Sequence, residues 1–245
     1  MKRRNVLAGL AATLTAGCSK IGDSQAFANL VDGAEKLHKG AHRLLGGRVA
    51  MAREYSVGEI SPYFRGNGNK DIDTEAYRAH EAAGFADWRF DVRGLVDRPL
   101  SLTMDQIRAL PQRTQVTRHD CVEGWSAIGQ WTGPQLSTIL KAAGLQEGAR
   151  FIVFHCADDF RGIPYYESCD LDDAFHPQTL IAHQLNGAPL PVRNGAPLRL
   201  RIERQLGYTH AKYLTGVEAV ASLDGIGEGG GGYWEDRGYQ WYAGI

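Results

Sequence analysis

Residues 118–126 read Arg-His-Asp-Cys-Val-Glu-Gly-Trp-Ser, which brings a thiol, an imidazole, a guanidinium and two carboxylates into nine positions. Three chemistries fit Cys121 in that company. Adjacent cations can lower a thiol's pKa and make it a nucleophile, the thiolate is a soft metal ligand, or the cysteine is a neutral core residue whose charged neighbours point outward. A hydrolase pairing Cys121 with His119 ranks last, because the imidazole is two residues away and nothing identifies an oxyanion site. Zinc is disfavoured, since no Cys-x-x-Cys pair exists and Cys156 and Cys169 stand at unrelated spacings.

Two further stretches carry chemistry. In LNGAPLPVRNGAPLRLRIERQLGYTHAKYL, from Leu185 to Leu214, Arg199 and Arg201 alternate along one face of a short apolar strand. Such a face needs an anion or carboxylates to justify it. The segment from Ser61 to Lys70, SPYFRGNGNK, is dense in turn formers and is expected to be irregular.

RHDCVEGWSAIGQWTG closely resembles the molybdenum-binding segment of the sulfite oxidase superfamily, and the stretch from Leu185 to Leu214 resembles its molybdopterin-binding segment. The nearest branch is the bacterial one that includes the periplasmic methionine sulfoxide reductase catalytic subunits, and the resemblance runs from about Tyr55 to the C-terminus. It implies a molybdenum-molybdopterin cofactor with Cys121 as metal ligand, and Glu123 as an acid that either handles a proton or caps its loop. It places Arg199 and Lys212 on the cofactor phosphate, where a fork-shaped guanidinium suits phosphate oxygens, and Asn194 at the pterin. It sets Asn67 of the Gly-rich loop at an asparagine position that contacts the pterin, with Phe64, Arg65 and Gly66 sharing the candidacy. Arg118, His119 and Cys156 complete the implied cofactor-binding set, Cys156 falling where reductase-type proteins have threonine. Departures occur at Glu203, Arg204 and Gln205, which replace a proline-glycine turn, at Thr209 in place of lysine, and at His210 in place of a small residue. Either His210 compensates in binding phosphate or the pocket differs.

The implied activity is oxygen-atom transfer, with reduction of an S-oxide or N-oxide, small or protein-bound, ahead of sulfite oxidation. No CxxCH haem motif is present, so the implied electron carrier is a separate haem protein or cytochrome. A periplasmic protein that binds cofactor or partner without turnover is the non-enzymatic alternative. Arg161, Tyr165 and Tyr166 are candidates for the substrate face or for packing.

The elements that must position these groups follow from pattern. Trp88, Phe90 and Val92 alternate with charged residues as a half-buried strand. Thr103 and Gln106 predict a capping box for a helix through Leu110, and Pro134 to Ala143 predicts a helix stopped by Gly144. Strands are expected at 115–118, 151–154, 180–185, 198–202 and 217–223, a loop at 119–133, and a turn at Asn186-Gly187. That mixture is α+β, and the resemblance implies the sulfite oxidase-type fold without a C-terminal immunoglobulin-like domain, expected to be a monomer. The expected organisation is an export signal over 1–18, a linker and arm over 19–55, the cofactor domain over 56–224, and a tail over 225–245 whose aromatics return it to the body.

Glycine is abundant, 30 of 245 residues, six of them between 225 and 232, against a usual share of ~7%. Lys2, Arg3 and Arg4 precede an apolar run from Val6 to Gly17, the pattern of a secretory signal and similar to the twin-arginine type. Leu14 to Cys18 resembles a lipoprotein cleavage site, so periplasmic export with a possible lipid anchor at Cys18 is expected. Losing those three cations takes the net charge from −1 to −4, which disfavours nucleic acid as a partner.

Overall fold

In the computed structural model residues 24–47 and 49–245 are described. The expected export signal and Cys18 lie outside them. The chain divides into two units, Met1–Gly47 and Arg48–Ile245. Among the described residues of the first there is one helix, α1 (Gln25–Gly46), where a linker and partly helical arm were expected. Ser24 caps it by accepting from Phe27 N at 3.2 Å. No described helix is long and apolar enough to cross a membrane.

The second unit is built on three sheets. β1 (Arg89–Gly94), β2 (Leu100–Thr103), β5 (Phe151–Phe160), β6 (Ile163–Asp170) and β11 (Leu214–Val220) form the largest, in the order β2-β1-β11-β5-β6. β1 and β11 run parallel; the other pairs are antiparallel. β3 (Gln112–Cys121), β4 (Trp125–Pro134), β8 (Gln184–Leu185) and β9 (Ala188–Pro189) form an antiparallel sheet, and β7 (Leu180–Ala182) pairs with β10 (Arg199–Arg201). The helices are short: α2 (Glu75–Ala82), α3 (Met104–Ala109), α4 (Leu136–Ala143) and α5 (Leu171–Ala174).

Local chemistry accounts for several boundaries. Gln106 N donates to Thr103 Oγ1 and Thr103 N to Gln106 Oε1, closing the capping box at the start of α3. In β1, Phe90 and Val92 are buried and alternate with outward residues. These two join Ile107, Leu140, Ile152, Phe154 and Val217 in the main core. Removing such side chains from water contributes roughly 1.5–3 kcal/mol each. A smaller cluster around Trp131, Phe64 and Leu185 lies under the second sheet.

Two expectations are corrected. The loop predicted over 119–133 is most of a hairpin, with β3 and β4 paired from Gln112↔Pro134 to Cys121↔Trp125. Its inward face carries Gln115, Thr117, His119 and Cys121, so the apolar alternation that marks an ordinary strand is missing. The single strand predicted over 180–185 is two, serving different sheets.

The C-terminal segment packs into the second unit. Tyr233 and Tyr242 are buried, Tyr233 N donates to Tyr166 O, and Ile245 N donates to Arg204 O. Asp236 Oδ2 accepts from the Tyr166 hydroxyl at 2.6 Å and from Glu228 N at 3.0 Å. Beside this anchor Glu167 is fully buried, its Oε1 accepting from the Tyr165 hydroxyl at 2.7 Å. Burial first, and the neighbouring Glu235 second, push the Glu167 carboxyl well above the usual carboxylate range. An acid whose folded pKa is raised holds its proton more tightly in the fold. Its stabilising contribution is complete below the unfolded value of about 4.5 and declines as pH rises toward the folded value. Glu167→Gln removes the titration while keeping the acceptor for Tyr165. The variant is therefore expected to melt with wild type near pH 4.5 and above it at pH 8. Melting curves at the two pH values check this; a gap that narrows as pH rises contradicts it.

Candidate active site

Cys121 sits on the last residue pair of the β3–β4 hairpin, immediately before a three-residue turn, Val122-Glu123-Gly124. The turn closes through Gly124 N donating to Cys121 O at 3.0 Å. The hairpin tip opens into a cavity of about 180 Å³. Cys121, Glu123, Asn67, His210 and Lys212 all line it, although Asn67 and Lys212 lie far from Cys121 in sequence. Burial raises the Cys121 thiol above its ordinary value, the opposite of what an activated nucleophile needs. Glu123 behaves differently. Its carboxylate accepts from Trp125 Nε1 at 3.0 Å and from Gly68 N at 3.4 Å, and the Trp125 bond holds it below the usual carboxylate range.

Behind the cavity lies a set of buried polar groups. His119 Nδ1 lies 2.8 Å from Arg201 Nη1. A guanidinium only donates, so Nδ1 is the acceptor and the proton sits on Nε2. That Nε2 is buried without a hydrogen-bond partner. Its ring reaches the backbone of Gly207 so closely that a Cβ there would stand 2.4 Å from it. His210 is oriented the other way: Nε2 donates to Gln205 O at 3.1 Å, leaving Nδ1 as an unmatched acceptor. The two rings are 5.1 Å apart. Burial, and then the Arg201 charge, lower both imidazoles well below the ordinary histidine value.

The two arginines of β10 are both fully buried but differently compensated. Arg201 forms a bidentate pair with Glu203, through Nε at 2.9 Å and Nη2 at 2.5 Å. Arg199 donates to two carbonyls, Asn194 O at 3.1 Å and His210 O at 3.3 Å, and its Nε has no partner. Lys212 Nζ likewise bonds backbone carbonyls, those of Asn67, Asn69 and Arg193. Burial pulls Arg199 down to about 9 and Lys212 down to about 7. A buried cation without a paired carboxylate is costly unless an anion arrives. A second, open cavity of about 680 Å³ meets the first at Glu123 and adds Arg65, Lys70 and Arg193.

The expected site residues therefore separate. Phe64 does not line the first cavity but supports it, its ring packing on His119 and Trp131. Asn194 stands behind Arg199 and donates to Arg65 O at 3.2 Å. Cys156 packs against the main core instead of lining the cavity. Arg118 is not brought into the site. It is exposed, donates to Asp120 Oδ2 at 2.8 Å, and lines a separate cavity with Tyr55 and Glu203. Alternation along β3 sends His119 and Cys121 inward and Arg118 outward. Tyr165 lines the first cavity, Tyr166 anchors the tail, and Arg161 occupies the exposed β5–β6 turn. Sequence reasoning missed Asp158, Phe160, Tyr208, Trp234 and Tyr239, all lining residues. Asp158 is buried, accepts from Asn69 Nδ2 at 2.8 Å, and is raised to about 6 by burial.

Among the described residues no group of three or more His, Cys, Asp or Glu side chains is placed to hold a metal. Cys121 thus offers a single soft ligand, and the other ligands of any metal must arrive with a cofactor. The surroundings suit one that is anionic and carries both donors and acceptors. Arg199 Nε, His119 Nε2 and Trp131 Nε1 are buried donors in need of acceptors, while Asn67 Oδ1 and His210 Nδ1 are acceptors in need of donors. Phosphate and a pterin ring supply these in kind.

Fold and site together fit a cofactor-binding redox domain with one cysteine facing the cavity. The chain belongs to the oxidoreductase molybdopterin binding domain family, which it matches over residues 78–223. It is 44% identical over 159 residues to the putative protein-methionine-sulfoxide reductase subunit YedZ1 of Azospira oryzae, covering 65% of this chain and 56% of that protein. It is 32% identical over 161 residues to the protein-methionine-sulfoxide reductase catalytic subunit MsrP of Xanthomonas campestris, covering 61% of this chain and 50% of that one. The chain thus spans about half the length of these relatives. The crystal structure of the sulfane dehydrogenase SoxCD from Paracoccus pantotrophus superposes with a TM-score of 0.52 at 20% identity, over 56% of this chain and 39% of that one. This likeness shows the mixed-sheet fold expected from the sequence.

Proposed function

We propose that this protein is a molybdopterin-dependent oxidoreductase that reduces an organic S-oxide, of the kind represented by methionine sulfoxide, with electrons from a separate protein. The observation that carries this reading is the pair of buried cations, Arg199 and Lys212, left without an ion-pairing carboxylate beside a lone inward cysteine. The names of the reductase relatives support the substrate class.

When bound, molybdenum in its dithiolene supplies two-electron exchange of an oxygen atom. Cys121 would hold the metal, and Arg199, Lys212, His119 and Asn194 would hold the pterin and its phosphate. The net reaction breaks the S=O bond, consumes two electrons and two protons, and yields a sulfide and water. Glu123 is held ionised at neutral pH by its bond from Trp125 Nε1 and so orients donors at the cavity mouth, while Asp158, raised to about 6, keeps a protonated fraction available inside the cavity as the proton source. Phe160, Tyr208 and Trp234 exclude water around them. The basic, apolar N-terminal segment supports export to the periplasm before or after cofactor loading.

Protein purified from molybdenum-replete cells is expected to contain close to one molybdenum and one pterin per chain. It is expected to reduce methionine sulfoxide with reduced viologen as artificial donor. Absence of both molybdenum and pterin overturns the assignment.

A further inference from the structure

The cavity beside Cys121 is walled by four aromatic rings in continuous contact. Trp234 stacks on Tyr239 with centroids 5.4 Å apart and planes at 30°. Phe160 meets Trp234 at 5.6 Å, and Tyr239 meets Tyr208 edge-on at 5.2 Å. All four line the cavity. Trp234 and Tyr239 belong to the C-terminal segment, outside the residues matched by the family.

That segment is held in place by specific bonds. Asp236 accepts from Tyr166 and two backbone amides, Trp241 Nε1 donates to Ser168 Oγ at 2.8 Å, and Tyr208 donates its hydroxyl to Gln240 O at 2.6 Å. The glycine-rich approach is required by this packing. Gly227 has φ +57°, and a Cβ there would meet the Tyr166 hydroxyl at 2.2 Å. The rings are thus fixed to the sheet that carries Phe160 and are not a loose flap.

We infer that Trp234 and Tyr239 form the substrate-selecting wall of the site, taking the S-methyl and alkyl groups of a neutral methyl sulfoxide and rejecting inorganic oxyanions. Sulfur and methyl groups are favourably placed at aromatic faces and edges. A small oxyanion finds the reverse environment. The lining cation, Lys212, is assigned to the cofactor's phosphate by the reading above and so is not free for a second anion, and the lining carboxylates Glu123 and Asp158 repel negative charge. Sulfite would lose its hydration against aromatic rings without a cation in return.

This inference rests on the reductase reading, and binding separates the two. Titration calorimetry is run on the full-length, molybdenum-loaded protein with N-acetylmethionine sulfoxide and with sulfite, on wild type, Trp234→Ala, Trp234→Phe and Tyr239→Ala. The sulfoxide Kd is expected to rise about tenfold in each alanine variant, a change of ~1.4 kcal/mol, and less than about threefold in Trp234→Phe. The weak affinity for sulfite is expected to stay the same. Tyr239 is 40% exposed, so its removal leaves the core intact if Trp234→Ala does not fold. Undetectable sulfoxide binding by wild type, unchanged Kd in both alanine variants, or a parallel loss of sulfite binding overturns the inference. The expected binding pattern without turnover of any S-oxide sinks the reductase reading and leaves the wall in place.

Discussion

Cys121→Ser is expected to give a folded protein that has lost its molybdenum while retaining much of its pterin. The side chain stands at the hairpin tip and is nearly buried, 8% exposed, and the exchange of sulfur for oxygen alters volume little. The turn behind it closes through the Cys121 carbonyl, which the substitution leaves alone. What changes is the donor: a thiolate is soft and electron-rich, and an un-ionised hydroxyl is neither. Changes to groups that merely orient a metal's ligands cost about 10–100-fold in affinity or activity. Losing the one protein ligand should exceed the upper end of that range for both molybdenum retention and S-oxide turnover. Arg199 and Lys212 stand on other segments, and His119, though on the same strand, is held by Arg201 Nη1 at 2.8 Å, so their proposed hold on phosphate and pterin is expected to persist. Metal analysis, with fluorescence of the extracted pterin, distinguishes the two losses. Full molybdenum retention in this variant would falsify the ligand assignment.

Much of the site was legible because ligand-binding residues violate the ordinary burial rules. Arg199 and Arg201 on an apolar strand demanded negative partners; the structure supplies Glu203 to Arg201 and leaves Arg199 Nε without a partner. The same violation hid most of the hairpin: 115–118 reads as a strand, but the inward face continues through His119 and Cys121 without an apolar period, so 119–133 reads as a loop. Arg118 entered the candidate set as part of the RHDCVEGWS segment, and a strand separates adjacent residues onto opposite faces. Asp158 and Tyr208 were out of reach for a different reason. Their place in the cavity depends on how β5 and the segment after β10 approach the hairpin, and sequence spacing does not encode that approach. For the tail, aromatic content indicated packing but not the surface it would reach. Trp234 and Tyr239 acquire their position through the fold, as where Asp236 bonds Tyr166, 70 residues away in sequence.

Arg201→Met is expected to be the most destabilising of the substitutions considered. Arg201 is fully buried, bonds both oxygens of Glu203, donates to His119 Nδ1, and lies over the Trp131 ring at 4.3 Å. Methionine fills a similar volume but leaves the Glu203 carboxylate with Gln115 Nε2, at 2.8 Å, as its remaining hydrogen-bond donor. Removing one partner of a buried pair costs about 3–5 kcal/mol, because the other charge stays behind without compensation. Denaturant unfolding should therefore show a lower midpoint, with a slope close to that of wild type. The pair and its surroundings can be separated by a second change. In Arg201→Met/Glu203→Gln no charge is stranded, and most of the lost stability should return, since well-packed neutral replacements of buried pairs are often close to neutral. Pterin content should not return with it. Without the guanidinium on Nδ1, the proton of His119 is no longer confined to Nε2, and the donor aimed at the cofactor is lost in both variants. A double variant as unstable as the single one would place the cost in lost packing on Trp131, and a double variant with full pterin content would remove His119 from the cofactor's grip.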